Sequence, residues 1–211
     1  AVRGGAQSRR VVSDGSGLLN FGSNDYLGLA ADTRLSAAVN SALATCGWGS
    51  GASPLITGRS ALHAELERHL AAFEGSEAAL VFPSGFAANV GTLSSLAGPP
   101  DVILSDAKNH ASLIDGCRLS RARVHVYPHQ DLDALQTALR QAASARRRLI
   151  VTDGLFSMDG DLAPLPALVD LAHTHRAILV VDEAHATGVW GPTGRGTCEH
   201  FGVEADVPVR I

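Results

Sequence analysis

Residues 181–185, Val-Asp-Glu-Ala-His, set two carboxylates and an imidazole at the end of an apolar run. Two chemistries use such a group. In the first, as in DEAH-type nucleic-acid helicases, the acids hold magnesium, and a phosphate loop ending in Gly-Lys-Ser or Gly-Lys-Thr must lie upstream. The only lysine of the 211 residues, Lys108, sits in Ala107-Lys108-Asn109 with no glycine before it, which removes that reading. In the second, Asp182 stands at a strand end and His185 one short turn later, both facing a shared ligand. The bland alternative is a buried Asp–His pair with no ligand. Further upstream, Pro83-Ser84-Gly85-Phe86 has the character of a strand-to-helix junction, where free helix amides can hold a phosphate and glycine admits close approach. A tight packing turn is its plain counterpart. His173 and His175 are two apart on a predicted helix and share no face, so they are not a metal pair.

The elements that must position these residues alternate. Apolar runs with β-branched residues occur at 79–82, 102–104, 124–127, 149–152 and 178–181, with helical patterns at 86–96, 111–119, 132–143 and 165–175 between several of them. Asp131 is placed to cap the helix carrying Leu132, Leu135 and Leu139. Strands alternating with helices predict an α/β fold with a mostly parallel sheet covered by helices on both faces. Residues 207–211 read as a further strand. Before this region, residues 18–21 are strand-like, 34–45 are helix-compatible and 47–54 are too glycine-rich for either. Ser60 is set to start a helix whose Leu62, Leu66, Leu70 and Phe73 share a face, with Gly75 ending it. Ligands of such sheets bind beyond the carboxyl ends of the strands. That rule selects 83–86, 106–110, 153–159 and 182–185, and finds less at Tyr127-Pro128-His129.

Composition narrows the partners. Apolar residues make up 45% and charged residues 18%, a globular balance. The net charge of −4 gives no electrostatic reason to expect nucleic acid or an anionic membrane, and the short clusters Arg9-Arg10 and Arg146-Arg147-Arg148 read as solvated faces. The aromatic residues are too few for a base-stacking surface. No apolar run reaches the ~20 residues of a membrane span, and residues 1–10 lack the apolar core of a secretory signal. Cys46, Cys117 and Cys198 are sparse and odd in number, which fits a reducing cytoplasm. The start without Met is read as an incomplete end.

Six short segments, in order, carry a resemblance: residues 20–29 (Asn-Phe-Gly-Ser-Asn-Asp-Tyr-Leu-Gly-Leu), Thr57-Gly58, 84–89 (Ser-Gly-Phe-Ala-Ala-Asn), 109–116 (Asn-His-Ala-Ser-Leu-Ile-Asp-Gly), 156–161 (Phe-Ser-Met-Asp-Gly-Asp) and 181–188 (Val-Asp-Glu-Ala-His-Ala-Thr-Gly). Together they resemble the α-oxoamine synthases, pyridoxal-phosphate enzymes of the aminotransferase fold type I. The resemblance implies the large domain of that fold, with its small C-terminal domain absent. Residues 1–59 would form an N-terminal segment with a glycine-rich loop facing a partner subunit, and 60–211 a partial cofactor-binding domain. It places the cofactor phosphate at Ser84, Gly85 and Phe86, and His110 over the pyridine ring as a stacking and acid–base group. Asp182 would pair with the pyridine nitrogen, His185 with the ring hydroxyl, Ser157 nearby, and Asn24 with substrate. A carboxylate beside that nitrogen favours its protonated form by about 1–3 pK units, or ~1.4–4 kcal/mol. The implied reaction condenses an amino acid with an acyl thioester of CoA or acyl carrier protein, with loss of CO2, in a homodimer.

The match is incomplete at the ends. In the family the Schiff-base lysine follows the Asp182 position, just after a strand resembling 207–211, and this chain closes at Ile211. Lys108 lies two residues before His110 and reads as an exposed loop residue rather than that lysine. Arg3 is the nearest candidate for the family's N-terminal substrate arginine. Two expectations follow: a fragment of an enzyme, inactive alone, or a non-catalytic paralogue that binds cofactor or a partner chain.

Overall fold

The computed structural model describes residues 10–13 and 16–211, so Arg3 lies outside the described residues. The chain divides into two compact units, residues 1–70 and 71–211. In the first, β1 (Arg10–Ser13) and β2 (Ser16–Leu19) form an antiparallel hairpin, followed by α1 (Thr33–Cys46). Asp32 caps α1 by accepting the Arg34 amide at 2.8 Å. The glycine-rich stretch after it closes into a π turn at Pro54–Gly58, tied by the Ser50 hydroxyl donating to the Gly58 carbonyl at 2.9 Å. Helix α2 (Ala61–Glu74) runs across the division and ends at Gly75, whose φ of +64° only glycine adopts without strain. Its Leu62, Leu66, Leu70 and Phe73 share a face as their spacing predicts, but each stays partly exposed.

The second unit is a parallel α/β sheet. Strands β3 (Val102–Asp106), β4 (Arg123–Tyr127), β5 (Arg148–Asp153), β6 (Ile178–Asp182) and β7 (Val209–Arg210) lie in the order β4-β3-β5-β6-β7. Because side chains alternate across a strand, each strand feeds two cores. Ile103, Leu149, Val151 and Val180 face Leu93, Leu113 and Cys117 of α3 (Gly85–Leu96) and α4 (Ala111–Leu119). Leu104, Ile150, Leu179 and Val181 face α5 (Leu132–Gln141), α6 (Leu165–His175) and the short α7 (Thr197–Phe201). Burial on both faces explains why these strands read as continuous apolar runs rather than alternating ones.

One expectation needs correcting. Residues 79–82 form no strand, and Leu80 is 77% exposed. The sheet therefore begins at β3, and α3 enters from an extended segment. The short α7 carried no recognisable apolar period because a buried carboxylate, described below, starts it. The Asp131 cap is present, accepting the Ala134 amide at 2.8 Å.

Candidate active site

The strand order reverses direction between β3 and β5: the chain steps from β3 outward to β4, then returns to β5 on the other side. Loops leaving neighbouring strands to opposite faces open a crevice there, the favoured ligand position of such sheets. A cavity of about 390 Å3 occupies it, lined by Lys108, Asn109, His110, Asp153, Phe156 and Ser157 among others. Asn109 ties the crevice walls together, its side chain donating to the Val151 carbonyl at 2.8 Å and accepting the Asp153 amide at 3.1 Å.

Asp182 ends β6 and is buried. Its Oδ1 accepts the Ala184 amide at 2.9 Å and its Oδ2 accepts Asn89 Nδ2 at 2.7 Å. The other hydrogen of that amide goes to the Ser112 hydroxyl at 2.8 Å. Ser112 in turn meets His110 Nδ1 at 2.6 Å, and its amide donates to the same nitrogen at 3.3 Å. A nitrogen receiving two donors is an acceptor, so a neutral His110 carries its proton on Nε2. The result is a continuous relay, Asp182–Asn89–Ser112–His110, from a buried carboxylate to an exposed imidazole at the start of α4.

A second carboxylate lies beside the first. Asp153 and Asp182 are register partners at the ends of adjacent parallel strands. Asp153 accepts the His110 amide on Oδ2 at 2.8 Å, which fixes the backbone beneath the imidazole. Burial, then repulsion from Asp182, pushes the Asp153 carboxyl up to about 7, with the His110 N–H opposing the rise. The crevice thus holds a group that gains or loses a proton near neutrality.

Ser84 caps α3, its hydroxyl accepting the Ala87 amide at 3.1 Å and its carbonyl the Ala88 amide at 3.0 Å. The first four amides of a helix lack intrahelical acceptors, which leaves those of Gly85 and Phe86 available. A side chain at Gly85 would begin in open space, with nothing beyond its chain neighbours and its own helix backbone within 4 Å. They sit one helical turn, ~5 Å, before Asn89 and hence before the Asp182 relay. His185 occupies the turn after β6 and Ser157 the cavity-lining loop after β5. Asn24 lies exposed in the unit of residues 1–70, where its side-chain oxygen accepts the Tyr26 hydroxyl at 3.4 Å.

Several residues escaped the sequence reading. Asn89 and Ser112 stood inside the matching segments without a role; their positions one turn from Gly85 and two residues from His110 were the available signal. Asp153 stood only as the first residue of the selected strand end 153–159, with no role of its own. Glu183, paired with Asp182 in the sequence, faces away from that relay: it accepts the Thr197 and Cys198 amides at 2.9 and 2.8 Å and starts α7. Lys108 lines the cavity and is half-exposed, with Nζ 2.7 Å from Asp159 Oδ2. The end of β4, which promised little, carries His129 between two aspartates. Among the described residues no cluster of metal-ligating side chains occurs, and no helix is long and apolar enough to cross a membrane.

This arrangement can be set beside known proteins. Residues 16–211 match the model of the aminotransferase class I and II family. The chain belongs to that family. A relative from Geobacter sulfurreducens named 8-amino-7-oxononanoate synthase is 54% identical over 98% of the chain and 53% of its own length. Sphingomonas wittichii serine palmitoyltransferase superposes with a TM-score of 0.92 at 38% identity, over 98% of this chain and 52% of that one. A serine palmitoyltransferase from S. paucimobilis, solved with a bound PLP–myriocin aldimine, gives 0.92 at 35% identity with the same coverage. The chain spans about half the length of the curated relatives it matches. The aminotransferase fold type to which the six segments pointed therefore holds as a family relationship, and the fold is the α/β fold it implied.

Proposed function

We propose that this aminotransferase-family chain is the cofactor-binding part of a pyridoxal-phosphate α-oxoamine synthase of the 8-amino-7-oxononanoate synthase type. The observation that carries the reading is the Asp182–Asn89–Ser112–His110 relay, with two unclaimed helix amides one turn away. Pyridoxal phosphate needs an anion cradle, a carboxylate for its ring nitrogen and a flat polar group for its ring face. The residues present fit that donor set. Gly85 and Phe86 would hold the phosphate with Ser84 shaping the turn. Asp182 would bind the ring nitrogen, oriented by Asn89 and the Ala184 amide. His110 would lie over the ring, oriented through Ser112, and His185 and Ser157 would serve the ring hydroxyl. When bound, the cofactor supplies an electron sink for the carbanion at an amino acid's α-carbon. His110, with Nε2 as its free position, is the residue placed to hold or move a proton at that carbon.

The proposed substrates are L-alanine and a pimeloyl thioester of CoA or acyl carrier protein, giving 8-amino-7-oxononanoate with loss of CO2 in biotin biosynthesis. Identity to the named relatives supports this choice over serine palmitoyltransferase, whose structures superpose well but share only 35–38% of residues. The residues that hold the cofactor covalently are proposed to lie beyond the 211 residues, which alone would be inactive. The working protein is proposed to be a cytoplasmic homodimer, with the glycine-rich loop of residues 47–58 facing the partner and Asn24 serving substrate. Assaying the complete gene product with alanine, glycine and serine against pimeloyl, acetyl, succinyl and palmitoyl thioesters tests the assignment. Turnover confined to alanine with the pimeloyl thioester is expected; preference for another pair overturns it.

A further inference from the structure

His129 follows β4, and three side chains converge on it. Asp106 at the end of β3 meets Nδ1 at 2.8 Å, and Asp161, in the loop after β5, meets Nε2 at 2.7 Å. Phe156 from the same loop sets its ring against the imidazole edge-to-face, 4.5 Å between centroids. A neutral imidazole has one N–H, so one of these contacts would set two acceptor lone pairs against each other. The proton is not on the carboxyls. Asp106 also accepts the Lys108 amide at 2.8 Å and the Gln130 amide at 3.0 Å, and Asp161 Oδ2 also accepts Gln130 Nε2 at 2.7 Å. Oxygens already taken by those donors serve as acceptors, and against the pull of burial the donors hold the Asp161 carboxyl below its usual range. Both ring nitrogens of His129 therefore donate.

The loop so held is the cavity wall. Its ends meet where the Ala163 amide donates to the Gly154 carbonyl at 2.9 Å, and Leu155 and Leu162 form an antiparallel bridge. Within it the Phe156 amide donates to the Asp161 carbonyl at 3.0 Å and the Gly160 amide to the Phe156 carbonyl at 2.7 Å. Ser157 and Met158 at its tip are exposed and line the cavity. Two further pins hold this loop: Gln130 Nε2 donates to Asp161 Oδ2 at 2.7 Å and to the Leu162 carbonyl at 3.0 Å, and Lys108 pairs with Asp159 at a half-exposed position, where an ion pair holds weakly.

We propose that His129 is an imidazolium clasp that fastens the Gly154–Ala163 loop to the ends of β3 and β4, and is thereby a positioning residue for Ser157 at the cofactor site. The clasp stands on its own geometry; its consequence for the cofactor rests on the function proposed above. The charged groups facing it are Asp106 from β3 and Asp161 from the loop, with Lys108 facing Asp161 in turn. Burial pulls the His129 proton affinity down, and the two aspartates outweigh it, leaving the net shift upward. A group raised in the folded state contributes its stability below its unfolded value, about 6.5 for histidine, and loses it as pH rises through the folded value. The loop should loosen as pH climbs past neutrality.

The test uses the 211-residue chain. Nitrogen-15 NMR at pH 7 should show both His129 ring nitrogens protonated. Hydrogen exchange, expressed as protection factors to remove the intrinsic pH effect, should show Phe156, Gly160 and Ala163 losing about tenfold or more in His129→Gln, as expected for hydrogen bonds between charged partners. Asp161→Asn, at a more exposed position, should lower the same protections and serves if His129→Gln fails to fold. Wild-type loop protection should fall as pH rises above about 6.5 while β5 and β6 amides hold. Pyridoxal phosphate affinity should fall over the same range, and that dependence should shrink in Asp161→Asn. A neutral imidazole at pH 7, or loop protections within about twofold of wild type in the variants, overturns the clasp. An affinity whose pH profile is identical in wild type and Asp161→Asn overturns the positioning role. Wild-type chain that binds no cofactor at all sinks the proposed function and the positioning role with it, and leaves the clasp to stand on exchange alone.

Discussion

Replacing Glu183 separates the two adjacent acids most sharply. The carboxylate is 3% exposed and accepts the Thr197 amide, the Thr197 hydroxyl and the Cys198 amide, whose residues are fully buried. In Glu183→Ala two backbone donors lose their acceptor away from water, at about 1–3 kcal/mol each. Removing a buried charge returns part of that through its own desolvation, so the expected net loss is about 3 kcal/mol. Against a typical 5–15 kcal/mol for a domain this is large, and with a urea slope of ~1–3 kcal/mol/M the midpoint should fall by roughly 1–3 M. Glu183→Gln keeps one acceptor oxygen and should cost about 1–2 kcal/mol. Urea unfolding followed by circular dichroism reads both variants. A Glu183→Ala midpoint within about 0.5 M of wild type, at unchanged slope, would refute the assignment of Glu183 to starting α7.

Asp153 gives a pH dependence of defined sign. Its carboxyl is raised to about 7, so the folded state binds more protons than the unfolded state from about pH 4 to 7, and stability should decline across that interval. Asp153→Asn, which still offers an oxygen to the His110 amide, should flatten the decline and be more stable than wild type at pH 8; a lower urea midpoint there would contradict this. Lys108, ion-paired to Asp159 and so held protonated, should remain unmodified when the chain is reduced with borohydride beside stoichiometric pyridoxal phosphate. A mass increase located on Lys108 would show that it can anchor the cofactor.

Much of the fold could be read from residue pattern, because burial on both faces writes parallel strands as apolar runs and the intervening helices carry their own period. Helices α4 and α6 fall where the spacing placed them, at Ala111–Leu119 and Leu165–His175. The run at 79–82 misled because an apolar β-branched segment becomes a strand only beside a neighbour, and pattern says nothing of neighbours. At the candidate site, the structure joins His110 and Asp182, picked out by type and position, in one hydrogen-bonded relay, and Ser84 caps the helix that carries Asn89. What escaped depends on contacts across long sequence separation. Asn89 reaches Asp182 across 93 residues. His129 reaches Asp161 across 32. Glu183 could be told from Asp182 only once β6 had fixed which side each faces.

Asp182, wired to His110, is proposed to receive the ring nitrogen of pyridoxal phosphate. A fluorescence titration of the 211-residue chain with the cofactor tests it directly, comparing wild type, Asp182→Asn and Glu183→Gln. Saturable binding is predicted, weakened at least about tenfold in Asp182→Asn, the loss of one charge pairing with the ring nitrogen. Glu183→Gln, folded at the same urea concentration, should bind as wild type does. Equal affinity in wild type and Asp182→Asn, or no saturable binding by the wild-type chain, would contradict the account.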